Sequence, residues 1–106
     1  MDLVEHLSRQ REWSKKTFGP GRRTEGVLDH IGKEVEEIRR NPADLFEWVD
    51  VMILAFDGAW RQGYEPAQIA AAITSKQYRN ENRQWPDWRS VPETSATEHI
   101  RTPGER

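Results

Sequence analysis

The sequence predicts an all-α protein: a helical bundle completed by subunit association, with an extended C-terminal tail. Apolar residues recur at helical spacing along most of the chain, and no stretch sustains the alternation of a strand. Glycine and proline punctuate the periodic stretches at Gly19-Pro20-Gly21, Pro42, Gly63 and Pro66. Apolar residues are scarce, at 35% against 32% charged in 106 residues. A chain of this size buries only about 60–65% of its unfolded surface, so association is the expected route to stability.

The first helix is expected from Leu3 to Lys16, short and sparsely apolar, with Leu7 and Trp13 on its face. It stops at Phe18-Gly19-Pro20-Gly21. Thr24 reads as the N-cap of a second helix, Glu25 to Arg40. Asn41-Pro42-Ala43-Asp44 reads as a fresh start, with Asn41 capping, Pro42 in the first helical position and Asp44 closing a capping box. The third helix runs to about Arg61 and ends at Gly63. Pro66 opens a fourth, to about Arg83. From Pro86 the composition changes, and only Trp88, Val91 and Ile100 are bulky and apolar. Residues 1–85 are therefore expected to form the domain and 86–106 a tail without its own core, laid over a neighbouring surface.

Several classes are excluded. With no cysteine there is no disulfide scaffold and no Cys-ligated zinc. No apolar run approaches the roughly 18 residues of a membrane span, and the acidic start does not read as a signal peptide. A formal charge of −2 makes no electrostatic case for nucleic-acid binding. A cytoplasmic location is expected.

The carboxylates carry the chemistry. At about 100° per residue, Val27, Leu28, Ile31, Val35 and Ile38 share one arc of the second helix, and Asp29, Lys33, Glu36 and Arg40 face solvent. Glu34 falls beside Val27 and Ile38, with Glu37 and His30 next to it. The third helix is apolar almost all round, which predicts burial on most sides. Its acids, Glu47, Asp50 and Asp57, share one arc of roughly 80° at that step. Buried carboxylates need compensation, because an unpaired buried charge costs several kcal/mol. Salt bridges to neighbouring helices would supply it. So would a metal site: two pairs, Glu34/Glu37 and Glu47/Asp50, on consecutive helices are one way to build an all-oxygen centre for a hard cation such as Mg²⁺ or Mn²⁺. Spacing alone leaves both open. On the fourth helix the stripe of Ile69, Ala72 and Ile73 continues as Lys76, Asn80 and Arg83, with Arg79 alongside. These residues either snorkel at the bundle end or grip phosphates.

Beyond spacing, the sequence resembles a family. Glu34-Val35-Glu36-Glu37 and Glu47-Trp48-Val49-Asp50 are similar to the E-x-x-E and E-x-x-D signature of the MazG-like all-α NTP pyrophosphatases. A longer series resembles their dATP/dGTP diphosphohydrolase branch, the MazZ-type proteins of bacteriophages and prophages. It comprises Thr17 to Gly21, Asp29-His30-Ile31, Lys33-Glu34, Glu47 to Val51, Asp57-Gly58-Ala59-Trp60-Arg61, Lys76-Gln77 and Trp85-Pro86-Asp87-Trp88. The gap between the two signature halves is short for the superfamily and predicts a tight turn at Asn41-Pro42.

The resemblance implies dATP and dGTP cleaved between the α- and β-phosphates, with two or more Mg²⁺ ions, Mn²⁺ substituting, on Glu34, Glu37, Glu47 and Asp50. It implies a homo-oligomer, a tetramer before a dimer, and in a subset of the branch a role in making 2-aminoadenine DNA. Lys76, Arg79, Asn80 and Arg83 are the expected phosphate-binding residues. Trp13, Phe18, His30, Trp48 and Asp57 are candidates for the base, although aromatics at helical spacing are also ordinary core. Asp57 stands open between a base contact, an Arg salt bridge and orientation of a ligand. A rival reading is a helical module that binds a host protein and has neither activity nor metal requirement.

Overall fold

The computed structural model describes residues 1–101. Among these are four α-helices, α1 (Leu3–Phe18), α2 (Thr24–Arg40), α3 (Leu45–Arg61) and α4 (Pro66–Glu81), then a 3₁₀ turn, Trp88–Ser90, and no strand. Residues 1–72 form one compact unit. The second begins at Ile73 and holds the later part of α4, the 3₁₀ turn and the described part of the expected tail; residues 102–106 of that tail lie outside the described residues.

In the first unit α3 packs against both α1 and α2. A small core joins Leu7 of α1, Trp60 of α3 and Ile69 of α4, with Phe56 and Ala59 packed on it. α2 and α3 come close at Gly58, where an added β-carbon would sit 3.4 Å from Val27 Cγ1. Val27 near the start of α2 thus meets the end of α3, and the two helices run antiparallel.

Three expectations about ends and lengths are corrected. The first helix is not short: at 16 residues it matches α4. Asp2 caps it, accepting from Glu5 N–H at 2.8 Å. Thr24 lies inside α2, and the capping position falls to Arg23, which has no side-chain cap and a left-handed backbone, φ 47°. The cap of α3 is Asp44, not Asn41: its carboxylate accepts from Phe46 N–H at 2.9 Å. Asn41 is occupied in closing α2, its N–H donating to Glu37 and Ile38 carbonyls. Residues 41–44 form the expected tight turn, pinned where Trp48 Nε1 donates to Pro42 O at 2.9 Å.

The expectation that α3 is buried on most sides does not hold within one chain. Leu45 is 70% exposed, Phe46 75%, Trp48 50% and Met52 53%. Among the described residues that face has little cover.

In the second unit the chain folds back on itself. Ile100 N–H donates to Gln84 O at 2.7 Å, Trp85 Nε1 donates to Asn80 O at 2.7 Å, and Trp85 meets His99 edge-on at 5.8 Å.

Candidate active site

The α2–α3 hairpin brings acids from both helices to one place. Glu34, Glu47 and Asp50 each present a carboxylate oxygen, and the three oxygens lie within 4.8 Å of one another. Glu34 and Glu47 are half-buried and Asp50 is exposed. Helical geometry explains the convergence. Glu47 and Asp50 are one turn apart on α3, and the antiparallel hairpin sets the middle of α2 against the first turns of α3.

Like charges this close leave a mark on Glu47. Partial desolvation, then the charges of Glu37, Asp44, Asp50 and Glu34, hold its carboxyl above the ordinary range. Such a group of oxygens suits a hard divalent cation, which would replace mutual repulsion by attraction. The donor set therefore fits a metal of the Mg²⁺ or Mn²⁺ type.

The fourth acid stands apart from this trio. Glu37 is half-exposed and paired with Arg40 at 3.1 Å, although its charge reaches Glu47. Glu36 is an exposed acid paired with Arg39, as the helical wheel predicts for the solvent arc. His30 reaches Glu34 from one turn earlier, Nε2 to Oε1 at 3.3 Å.

Beside His30 opens a cavity of about 110 Å³, lined by Phe18, Arg23, Gly26, Val27, His30, Leu54 and Asp57. Three of the five candidates for the base, Phe18, His30 and Asp57, thus share one recess next to the acids. The other two lie elsewhere. Trp13 packs edge-on against Phe18 at 5.5 Å but lines a different depression with His6, Gln10 and Ile53. Trp48 serves the 41–44 turn. Arg23 lays its guanidinium over the Phe18 ring, 5.7 Å from the centroid.

Asp57 is held by a salt bridge, one of the three roles open to it. Oδ2 accepts from Arg61 Nε at 2.9 Å, and Oδ1 accepts from Ser14 Oγ at 2.5 Å. Sequence reasoning gave Ser14 and Arg61 no role. The i, i+4 spacing of Asp57 and Arg61 was the available signal for one of them. Lys76, Arg79, Asn80 and Arg83 belong to the second unit, where Arg83 Nη1 meets Asn80 Oδ1 at 3.4 Å.

A helical hairpin whose two arms converge carboxylates on one point, with a recess beside them, has the arrangement that could hold a hard cation between facing helices. The comparisons with known proteins narrow this. The family of dATP/dGTP pyrophosphohydrolases matches residues 6–106, and the chain belongs to that family. Over its whole fold the chain is similar to a MazG-like pyrophosphohydrolase of cyanophage S-2L, solved bound to dGDP and three catalytic Mn²⁺ ions per active site. The TM-score is 0.72 at 27% identity, covering 95% of this chain and 99% of that one. It is also 38% identical over 76 residues to the Eaa protein of Salmonella phage P22. That match takes in 72% of this chain but only 24% of the relative, so the chain spans about a quarter of the relative's length.

Proposed function

We propose that this protein hydrolyses purine deoxynucleoside triphosphates, dATP and dGTP, to the monophosphate and pyrophosphate. One observation carries the reading: the convergence of Glu34, Glu47 and Asp50 across the α2–α3 hairpin of a chain in this family. Glu34, Glu37, Glu47 and Asp50 would hold two or more Mg²⁺ ions, with Mn²⁺ as a substitute. When bound, such ions neutralise phosphate charge and ease deprotonation of water.

The remaining steps belong to the chain itself. Water attacks the α-phosphorus, the bond to the bridging oxygen breaks, and pyrophosphate leaves with the electron pair. Glu37, at the edge of the acidic group, takes the proton of the attacking water as general base. Lys76, Arg79 and Arg83, with Asn80 on the same face of α4, hold the β- and γ-phosphates. The base enters the recess of Phe18, His30 and Asp57, with Trp13 and Trp48 as further aromatic candidates.

The exposed apolar face of α3 supports a homo-oligomer, a tetramer before a dimer, in which a second copy covers Phe46, Trp48 and Met52. In a phage-infected cell the enzyme would act in the host cytoplasm, removing dATP and supplying dGMP, a nucleotide pool that favours 2-aminoadenine DNA. The likeness to proteins of two phages supports that setting.

Pyrophosphate release from a panel of ribo- and deoxynucleoside triphosphates, each with Mg²⁺ and with Mn²⁺, tests the reading. The expected result is monophosphate and pyrophosphate from dATP and dGTP, abolished by a chelator. Diphosphate with orthophosphate as the main products, or no turnover of any nucleotide, would overturn it.

A further inference from the structure

Arg61 closes α3, and its side chain is 2% exposed. It does far more than pair with Asp57. Nη2 donates to Ser14 Oγ at 3.1 Å, and Nη1 donates to the carbonyls of both Gly19 and Gly21, each at 2.9 Å. Ser14 closes the ring by donating to Asp57 Oδ1. One guanidinium therefore ties α1, α3 and the Gly19-Pro20-Gly21 turn together.

Stability alone is a poor reason for this arrangement, since a buried ion pair contributes little more than well-packed apolar side chains of similar volume. What a guanidinium adds is direction. Its planar fork holds two carbonyls in fixed places, which an ammonium with three rotatable donors cannot do while also reaching Asp57 and Ser14. The turn needs holding: Gly19 and Gly21 lie at φ 84° and 96°, and Arg23 just beyond has φ 47°. Phe18 and Arg23, at the two ends of this segment, line one wall of the recess beside His30, and Asp57 lines it too.

We propose that Arg61 is a positioning residue for the nucleobase. Through the Gly19 and Gly21 carbonyls it sets the Phe18–Arg23 wall in its binding shape, so affinity for the purine nucleotide depends on it while the hydrolytic step does not. The inference rests on the function proposed above and assigns a specificity element to that same site. Preorganising a wall lowers the ordering cost at binding and leaves the reacting centre alone.

The test compares wild type with Arg61→Lys and Ser14→Ala in steady-state pyrophosphate release from dGTP and dATP, and in equilibrium binding of dGDP. Arg61→Lys is expected to raise KM and the dGDP dissociation constant at least about tenfold, with kcat within about threefold. Amide exchange at Gly19 and Gly21 should quicken, and the Mn²⁺-induced rise in melting temperature should keep its wild-type size. Ser14→Ala, a smaller cut into the same ring, should raise KM by about threefold and carries the test if Arg61→Lys does not fold. A merely structural role predicts a lower melting temperature with unchanged KM and unchanged dGDP binding, and that result would overturn the inference. So would a fall in kcat at constant KM. If wild type turns over no nucleotide, the function proposed above fails by itself. Loss of dGDP binding in the variants would then still uphold the role of Arg61, and equal binding would overturn it.

Discussion

Glu47 senses its surroundings: partial desolvation first, and then the charges of the neighbouring acids, hold its carboxyl above its ordinary value. A carboxyl whose pKa is higher folded than unfolded favours the fold when protonated. Its contribution is present below the unfolded value and is lost as pH rises through the folded one. In chelator, Glu47→Gln should therefore melt higher than wild type near neutral pH, and the gap should close as pH falls through the carboxylate range. Melting curves from about pH 4 to 8 read this directly. Glu65 works in the opposite sense. The hydrogen bond and charge of Arg11, 2.8 Å away, hold its carboxyl low, so its contribution is present above the unfolded pKa and fades as pH drops through the folded one. On activity, Glu34→Gln, Glu47→Gln and Asp50→Asn should each cost at least about 100-fold in rate, as removal of a central electrostatic group does. Glu36→Gln, on the solvent arc, should be nearly silent; a loss matching that of Glu47→Gln would refute the helical phase assigned to α2.

The elements were legible where periodicity or a breaker spoke, and less so at their ends. Residues Glu25 to Arg40 and the stretch ending at Arg61 read as helices because their apolar positions repeat at 3.6, and they are α2 and α3. The choice between Asn41 and Asp44 as a cap was not legible, since both residue types cap well and only the end of α2 decides which is free. Asp44→Ala should lower stability by about 1 kcal/mol, and denaturant unfolding measures it. The convergence of Glu34, Glu47 and Asp50 was foreseeable from two i, i+3 pairs on consecutive helices. The pairing of Glu37 with Arg40 was not, because a wheel gives direction and not which partner a long side chain finds. Ser14 gave no signal, its role depending on contacts with residues more than 40 positions away.

At the scale of the molecule, the lean core and the exposed face of α3 belong together. Leu7, Trp60 and Ile69 are the centre of the core cluster, while Phe46, Trp48 and Met52 stay half or more exposed among the described residues. Leu7→Ala should cost about 2–5 kcal/mol, a large share of what so small a core supplies. Light scattering should give a molar mass that is a multiple of 12.4 kDa. The melting temperature should rise with protein concentration, as mass action requires of an associating fold. Phe46→Ser should lower both readings; a wild type that stays monomeric at every concentration would remove the oligomer from the account.

The proposed activity requires that the α2–α3 acids bind divalent cations. The most direct test is thermal melting of wild type and Asp50→Asn, each with a chelator and with millimolar Mn²⁺. Metal that binds the folded site and not the unfolded chain adds about 2.7 kcal/mol at a free concentration 100-fold above its dissociation constant. Wild type should therefore melt higher with Mn²⁺. Asp50→Asn, relieved of one like charge, should melt at or above wild type in chelator and gain less from the metal. A wild-type melting temperature unmoved by Mn²⁺, with Asp50→Asn less stable than wild type in chelator, would contradict the claim and leave the acids as surface charges.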